Sequence, residues 1–261
     1  MRIRLVLLVV LVAFVLVACP EEFRASPTLM FSEPANGDEF VRLDTTVVMF
    51  FDTPLDPASV SNSTIQVRDG ASSQVAGDLV YDTVAQSVTF TPGSNLLSGE
   101  LYTVTVVGLT SDIGITSEMP QSWQFTTLTP ITIDWGRLFT PLSITVTPIE
   151  YIPATALVQS NGVTDQTVNS DPDPRLLAQV GIGAQGSDPS AGGWNWYDTE
   201  PSDIYTDDFH DMYNGYIDPA PIGTYDVAAR LSGDRGMTWV YCDTVDNSYD
   251  TADAGEVTVA E

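Results

Sequence analysis

The 261-residue chain has no lysine, one histidine and two cysteines. These shortages remove most catalytic chemistry before any motif is read. A zinc site of the usual kind needs His or Cys ligands that are not there. A Ser-His-Asp arrangement would have to use His210, and no G-x-S-x-G elbow accompanies it. No glycine-rich phosphate loop is present, and among 35 acids nothing singles out a glycosidase pair. The chain is therefore expected not to be an enzyme. Positive charge is also scarce: nine basic residues, all Arg, face 35 Asp and Glu, a formal net charge of −26. Such a surface repels phosphate backbones and excludes nucleic acid as a partner. No segment sustains a 3.6-residue apolar period, so very little helix is expected.

The one long apolar run is at the start, MRIRLVLLVVLVAFVLVAC. Arg2 and Arg4 precede an unbroken apolar stretch from Leu5 to Leu16, too short to span a bilayer comfortably and typical of a secretory signal. It ends in Leu16-Val17-Ala18-Cys19, which resembles the lipobox of bacterial lipoproteins. That resemblance implies diacylglycerol on the Cys19 thiol and cleavage just before it. Residues 1–18 are then a signal peptide, residues 19–26 a lipidated Cys and tether, and the membrane a partner through the lipid. Pro20 is not the Asp associated with inner-membrane retention, which points to an outer membrane or cell surface. Cleavage removes two Arg and no acid, leaving 7 basic against 35 acidic residues, about −28. It also leaves Cys242 alone, so the mature chain has no intramolecular disulfide and depends on its β core.

From residue 27 to 127, short β-branched runs alternate with Gly, Pro, Asn and Asp. TTVVMFF (45–51), STIQV (63–67), GDLVYD (77–82), SVTFTP (87–92), LYTVTVV (101–107) and SWQFTT (122–127) each read as a strand. Tyr102, Val104 and Val106 share one face, between turns at Gly99 and Gly108. Many short strands at this spacing predict a sandwich or barrel. Pro34 to Gly37, Phe50 to Pro54, Thr89 to Pro92, Leu97 to Val104 and Phe125 to Thr127 carry a more specific signal. Their order resembles the bacterial Ig-like module of S-layer and surface proteins. The resemblance implies an Ig-like sandwich used as a spacer or interaction module, without catalytic residues.

TLTPIT (127–132) reads as a short linker. A second β-sandwich domain is expected over 131–261, from runs such as SITVTPI (143–149), LLAQVGIGAQ (176–185), GTYDVAARLS (223–232) and TWVYCD (238–243). Leu177, Val180 and Ile182 with Gly181 and Gly183 predict a strand packed closely on its neighbour. The series from ALVQSNGVTD to AGEVTVAE resembles an accessory β-sandwich module of exported multidomain bacterial proteins. Some relatives have a Cys near IDWGRLF, so Gly136 would leave Cys242 without a partner. The fold class expected is all-β: two tandem Ig-like β-sandwiches after a signal peptide.

Three features of the second half bear on function. SGDRGMTW (232–239) fits the Asp-box hairpin known best from sialidase propellers, but it occurs once, in a domain with only four Arg. It reads as a structural turn: Asp234 accepts from its own backbone, Gly236 takes a conformation other residues resist, and Trp239 anchors the hairpin in the core. Trp194 and Trp196 are two apart and share a face, with Tyr197 on the other. They could stack on sugar rings or could be core. Between two expected strands, Asp198, Glu200, Asp203, Asp207, Asp208 and Asp211 put six acids in fourteen residues. No EF-hand order is present, so Ca²⁺ at Asp203, Asp207, Asp208 and Asp211 and a solvated loop both stay open. The reading is a lipid-anchored, non-catalytic binding or structural protein of the cell envelope, its partner an envelope protein or polysaccharide. The alternatives are a glycan- or Ca-binding lectin-like module, or the anchoring subunit of an extracellular enzyme system.

Overall fold

The computed structural model describes residues 26–204 and 207–261, so the leader and Cys19 lie outside the described residues. Eight strands build the first half: β1 (Leu29–Glu33), β2 (Asp38–Val41), β3 (Val47–Phe51), β4 (Ile65–Arg68), β5 (Gly77–Asp82), β6 (Ser87–Pro92), β7 (Leu101–Val106) and β8 (Gln121–Thr127). They form two four-stranded sheets, β1-β3-β6-β5 and β2-β8-β7-β4. All pairings are antiparallel except β2 with β8. In β3, Val47, Met49 and Phe51 are buried in strict alternation. They belong to the same buried cluster as Tyr102, Val104 and Val106 of β7 and Trp123 and Phe125 of β8. The Tyr102 and Phe125 rings stack at 5.5 Å, and the Tyr102 hydroxyl accepts from Leu97 N at 2.8 Å. That bond places a phenol in an apolar core without stranding its polar end. Gly99 and Gly108 have φ of 65° and 74°, the left-handed conformation that their turns need.

The second half has nine strands: β9 (Trp135–Thr140), β10 (Ser143–Val146), β11 (Ile152–Gln159), β12 (Leu177–Ala184), β13 (Asn195–Ser202), β14 (Asp211–Ile217), β15 (Gly223–Ser232), β16 (Val240–Cys242) and β17 (Gly255–Val259). Their hydrogen bonds run unbroken in the order β10-β17-β15-β12-β13-β14-β11-β9, with β16 beside β15. The two layers are nevertheless distinct, because β13 changes sheet in mid-strand. Asn195–Asp198 pair with β12, and Thr199–Ser202 pair with β14. A strand that passes from one layer to the other makes the corner of a sandwich. Gly215 stands opposite Thr199, and a Cβ there would lie 2.8 Å from the Thr199 Cγ2 and 3.0 Å from the Asp198 carbonyl oxygen, so the corner requires glycine.

The two halves have separate buried clusters, which makes the chain all-β with two tandem sandwiches. Three strands were not anticipated: β1, β2 and β9. The burial patterns of β1 and β2 lack clean alternation or are short, whereas β9 alternates but has a glycine, Gly136, at one of its two buried positions, so the two-residue hydropathy period is weak in all three. The acidic run after Tyr197 is another difference. Thr199 to Ser202 continue the strand rather than forming a loop, with polar side chains because β13 is largely solvated there. Leu177 is 39% exposed, and it is Leu176 that is buried. Cys242 is a free, buried thiol. Gly136 of β9 lies against Leu231 and the Leu157 carbonyl, with no room for a side chain as these are placed.

Candidate functional site

The Asp-box octapeptide is the turn between β15 and β16, and its side chains hold it from inside. Asp234 Oδ1 accepts from Thr238 N at 2.9 Å and Ser232 Oγ at 2.7 Å, while Oδ2 accepts from Thr238 Oγ1 at 2.6 Å. Ser232 Oγ in turn accepts from Gly236 N at 2.7 Å. Burial opposes ionisation of Asp234, but the bonds from Thr238, Ser232 and Met237 outweigh it and hold the carboxyl below its usual value. Arg235 and Gly236 both have positive φ, 59° and 83°.

This turn also docks on the first sandwich. Arg235 Nη1 donates to the Phe40 carbonyl at 2.9 Å, and Arg42 Nη1 donates to the Arg235 carbonyl at 3.1 Å. Ile131 N of the linker donates to the Gly233 carbonyl at 2.9 Å. A Cβ on Gly233 would drive into the Ile131 carbonyl. On the other side Leu128, fully buried, donates its N–H to the Val41 carbonyl. The linker is thus pinned to both sandwiches.

Trp239 does not enter the core. It is half-buried on the outer face of the β12–β15 sheet, where it forms one side of an aromatic cluster. The Arg230 guanidinium lies 4.1 Å from the Trp239 ring centroid and 4.5 Å from that of Trp196. Its Nε donates to Gln179 Oε1 at 2.7 Å, and Gln179 Nε2 donates to Asp198 Oδ1 at 2.6 Å. A cation between two indoles, oriented by an amide, is a rigid cation–π arrangement. Trp194 and Trp196 stack on one another at 5.6 Å and 17°. They cover Gly183 and Gly181, whose missing side chains leave space for the rings. Trp194 is only 8% exposed, so its faces are occupied by protein and it offers no free platform. Tyr241 lies 5.8 Å from Trp196, and Tyr249 meets Trp194 edge-on at 6.0 Å. Tyr197, on the opposite face, packs against the core.

The acidic segment is less organised. Asp203 Oδ1 accepts from Ser170 N at 3.0 Å, and Asp207 Oδ2 lies 2.8 Å from His210 Nδ1. Asp208 is exposed and Asp211 is 1% exposed. Asp211 Oδ2 accepts from Asp171 N at 2.9 Å, while its buried Oδ1 has no partner. Burial, helped by the charges of Asp171, Asp203 and Asp207, pushes the Asp211 carboxyl up to about 6. Among the described residues no three His, Cys, Asp or Glu come together as a metal site. The four Asp are therefore spread over strand, turn and loop rather than converging.

Sequence reasoning passed over Arg230, Tyr241, Tyr249 and Gly233. A signal for the packing of the Trp194 and Trp196 rings was present: Gly181 and Gly183 repeat at the spacing of the two tryptophans, as a strand covered by its neighbour's rings requires.

Residues 24–127 match the bacterial Ig-like domain family. An Ig-like module fits a structural or binding role rather than a catalytic one. No curated protein sequence matches the chain. Among solved structures, the N-terminal part of the bacterial S-layer protein SbsC aligns over 91% of this chain and 45% of its own, at 12% identity and a TM-score of 0.43. The fibronectin(III)-like modules of Clostridium thermocellum CbhA align over 89% and 93%, at 12% identity and a TM-score of 0.34. The MG0-NIE-MG1 domains of Escherichia coli alpha-2-macroglobulin align over 90% and 72%, at 12% identity and a TM-score of 0.34. The chain thus spans less than half the length of the S-layer structure it matches. Residues 24–127 of this all-β chain are thus similar to the bacterial Ig-like domain family, and a second sandwich follows that turns its Asp-box hairpin towards them.

Proposed function

We propose that this is an exported, lipid-anchored protein of the cell envelope whose two sandwiches act as a non-catalytic binding or spacer unit. The clamp formed by Arg42, Arg235 and the Ile131–Gly233 bond carries this reading. A protein tethered by one flexible end projects its outer domain in a defined direction only if its domains are coupled, and these bonds couple them. The basic, apolar leader and the Leu16-Val17-Ala18-Cys19 sequence support export and lipidation.

Metabolic labelling with an alkyne fatty acid tests the anchor. The parent chain should take up label and partition with membranes, whereas Cys19→Ser should lose the label and be recovered in the soluble exported fraction. An unlabelled parent chain would overturn the anchor. A pull-down from detergent-solubilised envelope tests the role: an enzyme as the main partner would replace the spacer reading with that of an enzyme's anchoring subunit.

A further inference from the structure

The chain enters the first sandwich at one end and leaves it at the other. At the entry, Leu29 pairs with Phe51 and donates its N–H to Gln121 Oε1, while Phe51 N donates to the Gln86 carbonyl. These contacts gather residues 26–28, the β5–β6 turn and the β7–β8 connection at the entry end. Leu128, bonded to Val41, and the Arg42–Arg235 clamp mark the opposite end. The β7–β8 connection is ordered: Ser117 N donates to the Leu109 carbonyl and Ser111 N to the Ile115 carbonyl, both at 2.8 Å. Gly114, with φ of 84°, donates to the Ser111 carbonyl and closes the turn, so Ile113 stands at the tip of a small hairpin. Met30, Val84, Ile113 and Met119 all lie at this end, and each is more than half exposed. A lone exposed apolar side chain is ordinary, but here separate stretches of sequence bring several to one end.

Only residues 19–25 separate Cys19 from this end, a fully extended reach of about 25 Å. A lipid on Cys19 therefore holds the entry end close to a bilayer, where weak apolar contacts act at high effective concentration. We propose that the entry end of the first sandwich rests on the bilayer surface, with Ile113 and Met119 entering the headgroup boundary. This rests on the lipidation of Cys19 proposed above and adds a contact face and an orientation to it. Because the linker leaves from the opposite end, the second sandwich points away from the membrane. The charge at the entry end selects the lipid. Asp52, Asp82, Asp112 and Glu118 are exposed there. No arginine among the described residues offsets them, since Arg42 belongs to the joint and Arg68, opposite Thr103, lies towards it. The surface that fits is zwitterionic, and anionic headgroups are repelled.

The test couples the mature chain, through the Cys19 thiol, to phosphatidylcholine vesicles bearing a maleimide lipid; Cys242 is buried and does not compete. The coupling is chemical, so the contact is read whether or not cells lipidate Cys19, which the metabolic label decides separately. Hydrogen–deuterium exchange over residues 111–120 should slow several-fold relative to the uncoupled chain. Exchange over residues 93–100, at the linker end, should not change. Ile113→Ser combined with Met119→Ser should return residues 111–120 to the uncoupled rate. Both side chains are exposed, so the melting temperature should stay as in the parent. Adding phosphatidylglycerol to the vesicles should weaken the protection. No slowing over 111–120, equal slowing at both ends, slowing that survives the double substitution, or slowing that grows with phosphatidylglycerol would overturn the proposal.

Discussion

Arg42 and Arg235 are bound to each other's strand or turn across the boundary between the two sandwiches. Arg42 gives a proton to the Arg235 carbonyl, and Arg235 gives one to Phe40, two residues before Arg42. Neither arginine is used up by a carboxylate in this contact, although Arg42 also pairs with Asp44 at 2.7 Å. In a chain with nine basic residues, two are committed to one joint.

Gly233→Ala should open that joint. The added methyl meets the Ile131 carbonyl, so the linker must move off the turn. Limited proteolysis within residues 128–133 should quicken several-fold and small-angle scattering should show a broader distance distribution. Arg235→Gly is the milder variant, because Gly suits φ of 59° and only the guanidinium bond is lost. Unchanged cleavage and scattering in Gly233→Ala would sink the clamp.

Asp234→Ala should lower stability by about 2 kcal/mol, since Thr238 N–H and two hydroxyls lose their acceptor in a buried turn. Because the folded carboxyl is held below its ordinary value, its contribution is present above about pH 4 and lost as pH falls through the lowered pKa. Urea midpoints of parent and variant should converge in acid. Parallel curves down to pH 2 would show that Asp234 is not ionised in the turn.

Arg230→Lys should destabilise the second sandwich by roughly 1–2 kcal/mol, although it keeps the charge. A lysine cannot fill the plane between Trp196 and Trp239, and its single ammonium replaces the flat group that now bonds Gln179. Chemical denaturation followed by tryptophan emission reports this directly, and a change below about 0.5 kcal/mol, the usual range for surface substitutions, would reduce the sandwich to surface packing.

Asp211 gives the opposite pH dependence to Asp234. Its folded value is raised to about 6, so the fold favours the protonated form. The stability it contributes is fully present below about pH 4 and is lost as pH rises through about 6. Asp211→Asn keeps an acceptor for Asp171 N and should flatten the urea-midpoint profile over that interval, raising it at neutral pH. A profile identical to the parent's would assign the slope to other groups.

The sequence was most legible where a strand is half buried. Val47-Val48-Met49-Phe50-Phe51 and Leu101 to Val106 announce themselves by alternation, because one face meets a core and the other water. Trp135 to Thr140 did not, because the buried positions of β9 are Gly136 and Leu138, and a glycine carries no hydropathy signal. The stretch Thr199 to Ser202 misled for the reverse reason: where the strand changes sheet it is largely solvated and none of its side chains is fully buried, so acidity there reads as loop. The Asp-box was legible as a turn, but its docking on Phe40 was not. That contact joins residues 195 positions apart through backbone carbonyls, which any residue type provides.

The mid-strand change of sheet in β13 has a further consequence. Two separate sheets would present four free edges, each a row of unpaired amides able to recruit a strand from another chain. Because β13 serves both layers, two of those edges do not exist, and Leu138 N of β9 donates to the Asp243 carbonyl just beyond β16 at 2.7 Å. That leaves β10, four residues long, as the main exposed rim of the second sandwich. This near-closure leaves few unpaired amides for edge-to-edge polymerisation, without needing a charged strand to repel another copy.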